Sequence, residues 1–253
     1  MRVLRARVLE AIKGTRPGQW LVAARRLRLW GGPGQAVLAA TPGAQWTWGG
    51  PMNGQDGRRA LVRRIATGIR FRYAVETGTH RGASTAFLAD VTGAPVHTVD
   101  ADPVSGGYAT RVFAGRTDVT VSIDDSRRFL ERVAGEQVRT DPVLFYLDAH
   151  WDAQDLPLWE EIRYVFAHWD HPVVVVDDFA VPGDPGYGFD AYGVGRSLCL
   201  DDLLPHLPET VEAWFPSLPS GSESGARRGC VVLVRSTPPA GWDHGGLLSA
   251  ARR

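Results

Sequence analysis

The chain has 253 residues and carries 28 acidic side chains against 28 lysines and arginines. This length suits one α/β domain, or one domain with a decorating segment. Because the net charge is zero, the composition gives no reason to expect a nucleic-acid partner. Only two cysteines are present, and no apolar run approaches the ~18 residues that cross a bilayer, so we expect a cytoplasmic protein without a membrane span.

The charge is distributed unevenly along the chain. Residues 1–64 contain twelve lysines and arginines, but only Glu10 and Asp56 as acids. Two runs in this region have helical spacing, which predicts an N-terminal helical or lid segment over residues 1–64. Trp46 and Trp48 are candidate walls of a ligand site or, equally, a cover for the core. The basic helices are suited to packing on the acidic remainder of the chain or to self-association as a homo-oligomer.

From residue 71 onward, runs typical of strands alternate with runs typical of helices. We predict an α/β fold: a doubly wound, Rossmann-like, mostly parallel seven-stranded sheet with helices on both faces and an antiparallel last strand, over residues 65–236. Residues 237–253 are rich in Pro and Gly and then polar, which predicts a loosely held tail. The predicted strands are 71–76, 96–100, 119–122, 143–148, 172–178, 211–215 and 230–234.

A glycine turn follows the first predicted strand. The strand ends at Glu76, Gly78 and Gly82 follow, and a helix begins directly after them. Glycines let a backbone approach a ligand, and the N–H groups of a helix's first turn point towards it. A dinucleotide fingerprint has glycine where Glu76 stands. Because a carboxylate there would repel a pyrophosphate, a cationic or amine-bearing ligand suits this turn better.

This Glu-x-Gly-x-x-x-Gly pattern resembles the first motif of the class I S-adenosylmethionine-dependent methyltransferases. The resemblance implies S-adenosylmethionine as the cofactor, with its amino-acid end near Glu76 and Gly78. The other candidate cofactor-binding residues of the turn are Thr79, His80, Gly82 and Ser84, and Arg81 is a further neighbour.

Acids also follow the second and third predicted strands. Asp100 ends strand two, where a carboxylate accepts hydrogen bonds from ribose hydroxyls or else caps the next turn. Asp125 and Ser126 follow strand three, where the methyltransferase resemblance implies contacts to adenine. Asp124 competes with Asp125 for that contact, and both acids would also serve as N-caps of the next helix.

A second group of acids follows the fourth and fifth predicted strands. Asp148 ends strand four, and Asp177 and Asp178 end strand five, so these carboxylates should converge at one sheet edge. Crowded carboxylates are costly unless a cation neutralises them, and an all-oxygen set favours Mg²⁺, Ca²⁺ or Mn²⁺. We predict Asp148, Asp177 and Asp178 as metal ligands, with Asp148 also next to the cofactor. The alternative is that one Asp caps a helix and no metal binds.

Proton removal needs a base beside this predicted metal site. His150, two residues after Asp148, can take a proton from a hydroxyl that the metal has acidified. Asp152 competes with it for that role and is also a candidate substrate contact. Tyr187 and Tyr192 lie in a loop of glycines, prolines and aromatics after strand five, where they would contact a substrate or anchor the loop.

The pattern Asp148-x-His150 with Asp177-Asp178 is similar to the metal-dependent O-methyltransferases that act on antibiotic sugars, the macrocin O-methyltransferase group among them. The resemblance covers residues 46–235 and implies Mg²⁺-assisted methylation of a hydroxyl on a small molecule, a sugar or a natural product. Two alternatives stay open. One is a metal-independent carboxyl- or N-methyltransferase of the same fold, and the other is a metal-binding relative with different chemistry.

Overall fold

An eight-stranded sheet organises residues 49–150 and 155–249, which are the residues that the computed structural model describes. The predicted N-terminal helices, Trp46, Trp48 and Asp152 lie outside these ranges. The strands are β1 (Tyr73–Thr77), β2 (Val96–Asp100), β3 (Val119–Ile123), β4 (Pro142–Leu147), β5 (His171–Val176), β6 (Val211–Pro216), β7 (Val231–Arg235) and β8 (Leu247–Ser249). The helices are α1 (Asp56–Gly68), α2 (Ala83–Thr92), α3 (Pro103–Val112), α4 (Ser126–Glu136), α5 (Leu158–His168) and the short α6 (Leu200–Leu203).

The strand order across the sheet is β3-β2-β1-β4-β5-β7-β6-β8. Strands β1 to β5 pair in parallel, whereas β7 runs antiparallel to both β5 and β6. The predicted Rossmann-like, mostly parallel sheet with an antiparallel seventh strand is therefore confirmed. Residues 247–249, within the segment predicted to be a loose tail, form β8 and pair with β6. This part of the tail is held to the sheet.

Helices cover both faces of the sheet. On one face, Ala74 of β1 and Leu144 of β4 are buried in the cluster that contains the apolar residues of α1, α2 and α3. On the other face, Val75 and Phe145 are buried with α4 and α5. Helices cover the central strands on both sides. For this reason β5 contains four consecutive buried valines instead of alternating apolar and polar residues. Within residues 49–150 and 155–249, no helix has the length and apolar character that crossing a membrane requires.

Candidate functional site

The sheet reverses its strand order between β1 and β4. In open α/β sheets, ligands bind outside the carboxyl ends of the strands at such a point. Glu76 is the penultimate residue of β1, Asp100 ends β2, and Asp148 follows β4. The three acids predicted from separate segments are therefore brought to the same edge of the sheet.

The glycine turn after β1 is packed against its neighbours. The N–H groups of Gly78 and Thr79 both donate to the carbonyl oxygen of Val99, at 2.9 and 3.1 Å. Gly78 has φ 90°, and a Cβ at this residue would lie 2.4 Å from the carbonyl oxygen of Asp148. Gly82 has φ 76°, and a Cβ there would lie 2.5 Å from the ring of Phe113. Close packing within the turn therefore requires both glycines, independently of any ligand.

Glu76 is buried beneath this turn with 1% of its surface exposed. The hydroxyls of Thr85 and Thr98 both donate to its Oε2 atom, the latter at 2.6 Å. Its Oε1 atom has no hydrogen-bond partner within the described residues. Burial raises the pKa of Glu76 to about 7 despite the two hydroxyls. A buried acceptor without a donor is suited to a ligand that brings an amine, and the contact of Glu76 to such a ligand stays a prediction.

Asp100, at the end of β2, holds the backbone of the glycine turn at His80. Its carboxylate accepts hydrogen bonds from the N–H groups of His80, at 2.6 Å, and of Asp102, at 2.8 Å. His80 has φ 45°, a left-handed conformation that this hydrogen bond helps to hold. The hydroxyl of Thr79 lies 2.6 Å from that of Thr98, and Ser84 Oγ accepts from the N–H of Met52 at 3.2 Å. All the predicted cofactor residues of this motif thus surround one turn: Glu76, Gly78, Thr79, His80, Gly82, Ser84 and Asp100.

Asp125 is the N-cap of α4. Its carboxylate accepts from the N–H of Arg127 at 2.9 Å and forms an ion pair with the same guanidinium at 2.6 Å. These Arg127 contacts lower the pKa of Asp125. Asp124 forms ion pairs with Arg128 and Arg132. The contacts of Asp125 therefore correspond to the capping alternative, and its contact to adenine stays a prediction.

The sequence did not single out Glu161, a second buried acid close to this edge. It lies in the first turn of α5, is 1% exposed, and accepts from the Thr77 hydroxyl at 3.5 Å. Ser126, which was predicted to contact the cofactor, is buried and hydrogen-bonded to Glu161. Burial raises the pKa of Glu161 to about 7, and its Oε1 atom has no partner in the described part of the chain.

At the ends of β4 and β5, Asp148, His150 and Asp178 form a cluster. Each residue offers one ligand atom, and these atoms all lie within 4.8 Å of one another. His150 is 2% exposed, and its Nε2 atom is 3.8 Å from Asp148 Oδ1. Burial and the charge of Asp178 raise the pKa of Asp148, whereas burial lowers the pKa of His150 to about 4. The imidazole is therefore neutral at pH 7, the form that accepts a proton or coordinates a cation.

Asp177, the third predicted ligand, makes different contacts. Its Oδ1 atom forms an ion pair with Arg58 and accepts from the N–H of Asp178 at 2.7 Å. Its Oδ2 atom accepts from the hydroxyl of Tyr146 and from Asn53 Nδ2, the latter at 3.3 Å. The group of possible ligands among the described residues contains His150 in the place that the sequence assigned to Asp177.

Arg228 connects the cluster to the loop that follows β5. Its Nε atom donates to Asp178 at 2.7 Å, and its guanidinium also forms an ion pair with Asp190. The hydroxyl of Tyr192 donates to Asp190 at 2.7 Å and to the carbonyl of His150. Tyr192, a predicted substrate contact, therefore lies beside the cluster.

Tyr187, the other tyrosine predicted to contact substrate, anchors its loop. Only 2% of its surface is exposed, and its hydroxyl donates to the carbonyl of Leu218 at 2.8 Å. These contacts correspond to the anchoring alternative stated for the loop tyrosines. Asp152 lies outside the described residues, so its substrate contact stays a prediction.

Arg58 was missed, although the sequence contains a signal for it. The buried positions of α1 are Arg58, Leu61, Val62 and Ile65, which recur at the spacing of one helical face. An arginine on an apolar face indicates a buried anionic partner, because a buried charge must be paired. Sequence alone does not identify that partner, since Asp177 is 119 residues away along the chain.

Comparisons with known proteins give a fold and no close relative. No protein-family model matches the sequence, and no curated protein matches it. Among solved structures, the chain is similar to an O-methyltransferase from Bacillus cereus in complex with SAH, with a TM-score of 0.50 and 18% identity over 90% of each chain. It is also similar to the O-methyltransferase TomG from Streptomyces achromogenes, which is involved in tomaymycin synthesis and was solved with SAM. That match has a TM-score of 0.50 and 16% identity, and it covers 84% of this chain and 87% of TomG.

A third similar structure is cofactor-bound Rv0187 from MTB, with a TM-score of 0.50 and 18% identity. The match covers 87% of this chain and 97% of Rv0187. At these identities the similarities show the fold, which is the Rossmann-like fold of the class I methyltransferases.

Proposed function

We propose that this protein transfers the methyl group of S-adenosylmethionine to a hydroxyl of a small molecule. The observation that carries the proposal is the Oε1 atom of Glu76, a buried acceptor to which no donor in the described part of the chain points, under a glycine turn at the reversal of strand order. The proposal is supported by the fold and by the SAM or SAH bound in similar structures.

In this proposal the cofactor's amino group donates to Glu76, and its ribose hydroxyls donate to Asp100. Ser126 and Asp125 remain the proposed contacts to adenine, and Asp148 approaches the cofactor from the end of β4. The turn residues Gly78 to Gly82 with Ser84 would surround the methionine part. Binding would orient the sulfonium methyl towards the acceptor, and most of the rate enhancement would come from this positioning.

The resemblance to antibiotic-sugar enzymes further implies a divalent cation, Mg²⁺, at the ends of β4 and β5. Asp148 and Asp178 fit this role because their carboxylates converge. Asp177 fits it poorly because its carboxylate already accepts four hydrogen bonds. A bound divalent cation would lower the pKa of an acceptor hydroxyl. His150 and Asp152 are the two groups predicted to remove that proton.

The acceptor class follows from the same resemblance and from composition. We propose a hydroxylated small molecule, a sugar or a natural product, and no nucleic acid, since the chain has no net charge. Tyr192 lies beside the carboxylate cluster, where it would contact such an acceptor. A cytoplasmic location and formation of a homo-oligomer stay predictions from the sequence.

One observation favours a second candidate, metal-independent methylation of a carboxylate or amine. Arg58 pairs with Asp177, and Arg228 pairs with Asp178 and Asp190, so the protein itself supplies two cations at this edge. Turnover that EDTA leaves unchanged in an acceptor screen would favour this candidate over the metal-assisted reaction.

Calorimetric titration of the purified full chain with S-adenosylhomocysteine tests the shared core of both candidates. We expect saturable one-to-one binding by the wild type. A charged hydrogen bond contributes ~1.5–3 kcal/mol, so Glu76→Gln and Asp100→Asn should each weaken binding by about tenfold or more. Glu212→Gln on β6, far from the turn, should bind as the wild type does. The proposal fails if folded wild-type protein does not bind the ligand.

A further inference from the structure

The carboxylate of Asp177 is saturated with protein donors. An ionised carboxylate offers about four lone-pair positions. Arg58 and the N–H of Asp178 occupy two of them on Oδ1, and Tyr146 and Asn53 occupy two on Oδ2. With 1% of its surface exposed, Asp177 has neither lone pairs nor access for a cation. Asp177 is the counter-ion of buried Arg58, and a metal at this edge needs another third ligand.

His150 is in the opposite situation. It is buried to the same degree as Asp177, yet neither Nδ1 nor Nε2 has a hydrogen-bond partner within the described residues. Buried ring nitrogens normally find a partner, because leaving them without one costs free energy. Nε2 faces Asp148 Oδ1 at 3.8 Å, which is too long for a hydrogen bond, and Asp178 completes the group. A buried imidazole nitrogen within 4.8 Å of two carboxylate oxygens has the ligand types and the spacing of a metal site.

We propose that Asp148, His150 and Asp178 bind a later first-row transition cation such as Co²⁺, with His150 as a ligand through nitrogen. This inference refines the proposed function, on which it rests for the role of the site. It replaces the all-oxygen ligand set for Mg²⁺ that the sequence predicted. Because His150 then binds the metal, Asp152 is left as the predicted proton acceptor.

The ligand types determine the metal preference. Carboxylate oxygens suit Mg²⁺, Ca²⁺ and Mn²⁺, whereas imidazole nitrogen favours the later first-row cations. Mg²⁺ keeps oxygen ligands almost without exception, so one nitrogen among three protein ligands disfavours it. Arg228 shares Asp178 with the site, and its donation at 2.7 Å holds that carboxylate in place. Asp178 has a left-handed backbone, with φ 54°.

The experiment titrates the metal-free full chain with Co²⁺ and, separately, with Mg²⁺. Calorimetry measures both affinities, and visible absorption reports the ligands of bound Co²⁺. We expect the wild type to bind Co²⁺ at least about tenfold more tightly than Mg²⁺. His150→Ala should lose about tenfold or more in Co²⁺ affinity and change the absorption spectrum, because a nitrogen ligand is replaced by water. The Mg²⁺ affinity of the same variant should change by less than about threefold, since two carboxylates remain.

Further variants separate the predicted ligands from their neighbours. His168→Ala removes a histidine whose ring already contacts the carbonyl of Tyr164, and it should leave both metal affinities unchanged. Asp177→Asn should retain Co²⁺ binding within about threefold if it is folded by circular dichroism, whereas Asp178→Asn should lose about tenfold or more. If Asp177→Asn does not fold, Tyr146→Phe removes one of the Asp177 donors and should also retain binding.

Several results would overturn the inference: no Co²⁺ binding by the wild type, an unchanged spectrum in His150→Ala, or parallel loss of Mg²⁺ and Co²⁺ in that variant. S-adenosylhomocysteine binding in the same samples separates this failure from failure of the proposed function. A protein that binds the cofactor analogue but no transition cation would keep the methyltransferase proposal and lose the metal site.

Discussion

Two regions at the same edge of the sheet keep buried acids in different ways. Around Glu76 near the end of β1 and Glu161 in the first turn of α5, the partners are hydroxyls, and the pKa of each acid is raised to about 7. At the ends of β4 and β5, Arg58 and Arg228 pair with Asp177 and Asp178. The first region therefore surrounds its acids with neutral donors, whereas the second places two guanidinium groups against its carboxylates.

The difference indicates what each region can bind. An acid surrounded by hydroxyls, with one oxygen left without a donor, suits a ligand that brings a single amine or hydroxyl. In the second region, the imidazole of His150, which has no hydrogen-bond partner within the described residues, lies beside the carboxylates of Asp148 and Asp178, and this set of ligand atoms suits a cation. The proposed cofactor and the proposed metal therefore belong to different electrostatic environments at one edge of the sheet.

The largest effect is expected from removing the arginine that defines the second region. Arg58→Met leaves Asp177 buried and without its counter-ion, which should lower the free energy of unfolding by ~3–5 kcal/mol in a urea titration. The double variant Arg58→Met with Asp177→Asn should recover a large part of that loss, because no charge is then left alone. Arg64→Met, which breaks the exposed pair with Asp243, is the matched control and should have little effect. A small effect of Arg58→Met would contradict the assignment of Asp177 as a buried counter-ion.

A smaller effect, in pH dependence, is expected in the first region. The pKa of Glu161 rises from 4.5 to about 7 on folding, so the folded protein holds this proton more tightly than the unfolded chain. Its stabilising contribution is complete below pH ~4.5 and disappears as the pH rises through ~7, amounting to at most ~3 kcal/mol. Glu161→Gln should therefore show a smaller loss of the free energy of unfolding between pH 5 and pH 8 than the wild type. Parallel pH profiles for the two proteins would show that Glu161 is ionised in the folded state.

The smallest effect is expected at the boundary of the first region, where Asp125 caps α4. Asp125→Ala should lower the free energy of unfolding by ~1 kcal/mol, since the N–H of Arg127 loses its acceptor. Asp125→Ser keeps a capping oxygen and should restore most of that stability. Calorimetry on Asp125→Ser then isolates the predicted contact to adenine. Unchanged affinity for S-adenosylhomocysteine would leave Asp125 with the capping role alone.

Local sequence patterns predicted much of this architecture. The alternation of strand-like and helix-like runs, with Glu76 and its glycines between the first strand and helix, predicted the parallel sheet and the turn at its edge. Acids at the ends of strands were predicted to meet, because parallel strands end on one edge. Segment boundaries were less accurate: the predicted strand 172–178 ends at Val176, since the left-handed backbone of Asp178 stops the extended conformation.

Partners across the chain required the tertiary structure. Arg58 and Asp177 are 119 residues apart, and nothing local to either residue identifies the other. The same holds for Arg228, which joins Asp178 to Asp190, and for Glu161, which meets Thr77 and Ser126 from another helix. In the sequence Asp177 and Asp178 look equivalent. Only the packing distinguishes them, because adjacent residues at a strand end turn their side chains in different directions, that of Asp177 towards buried Arg58 and that of Asp178 towards Arg228.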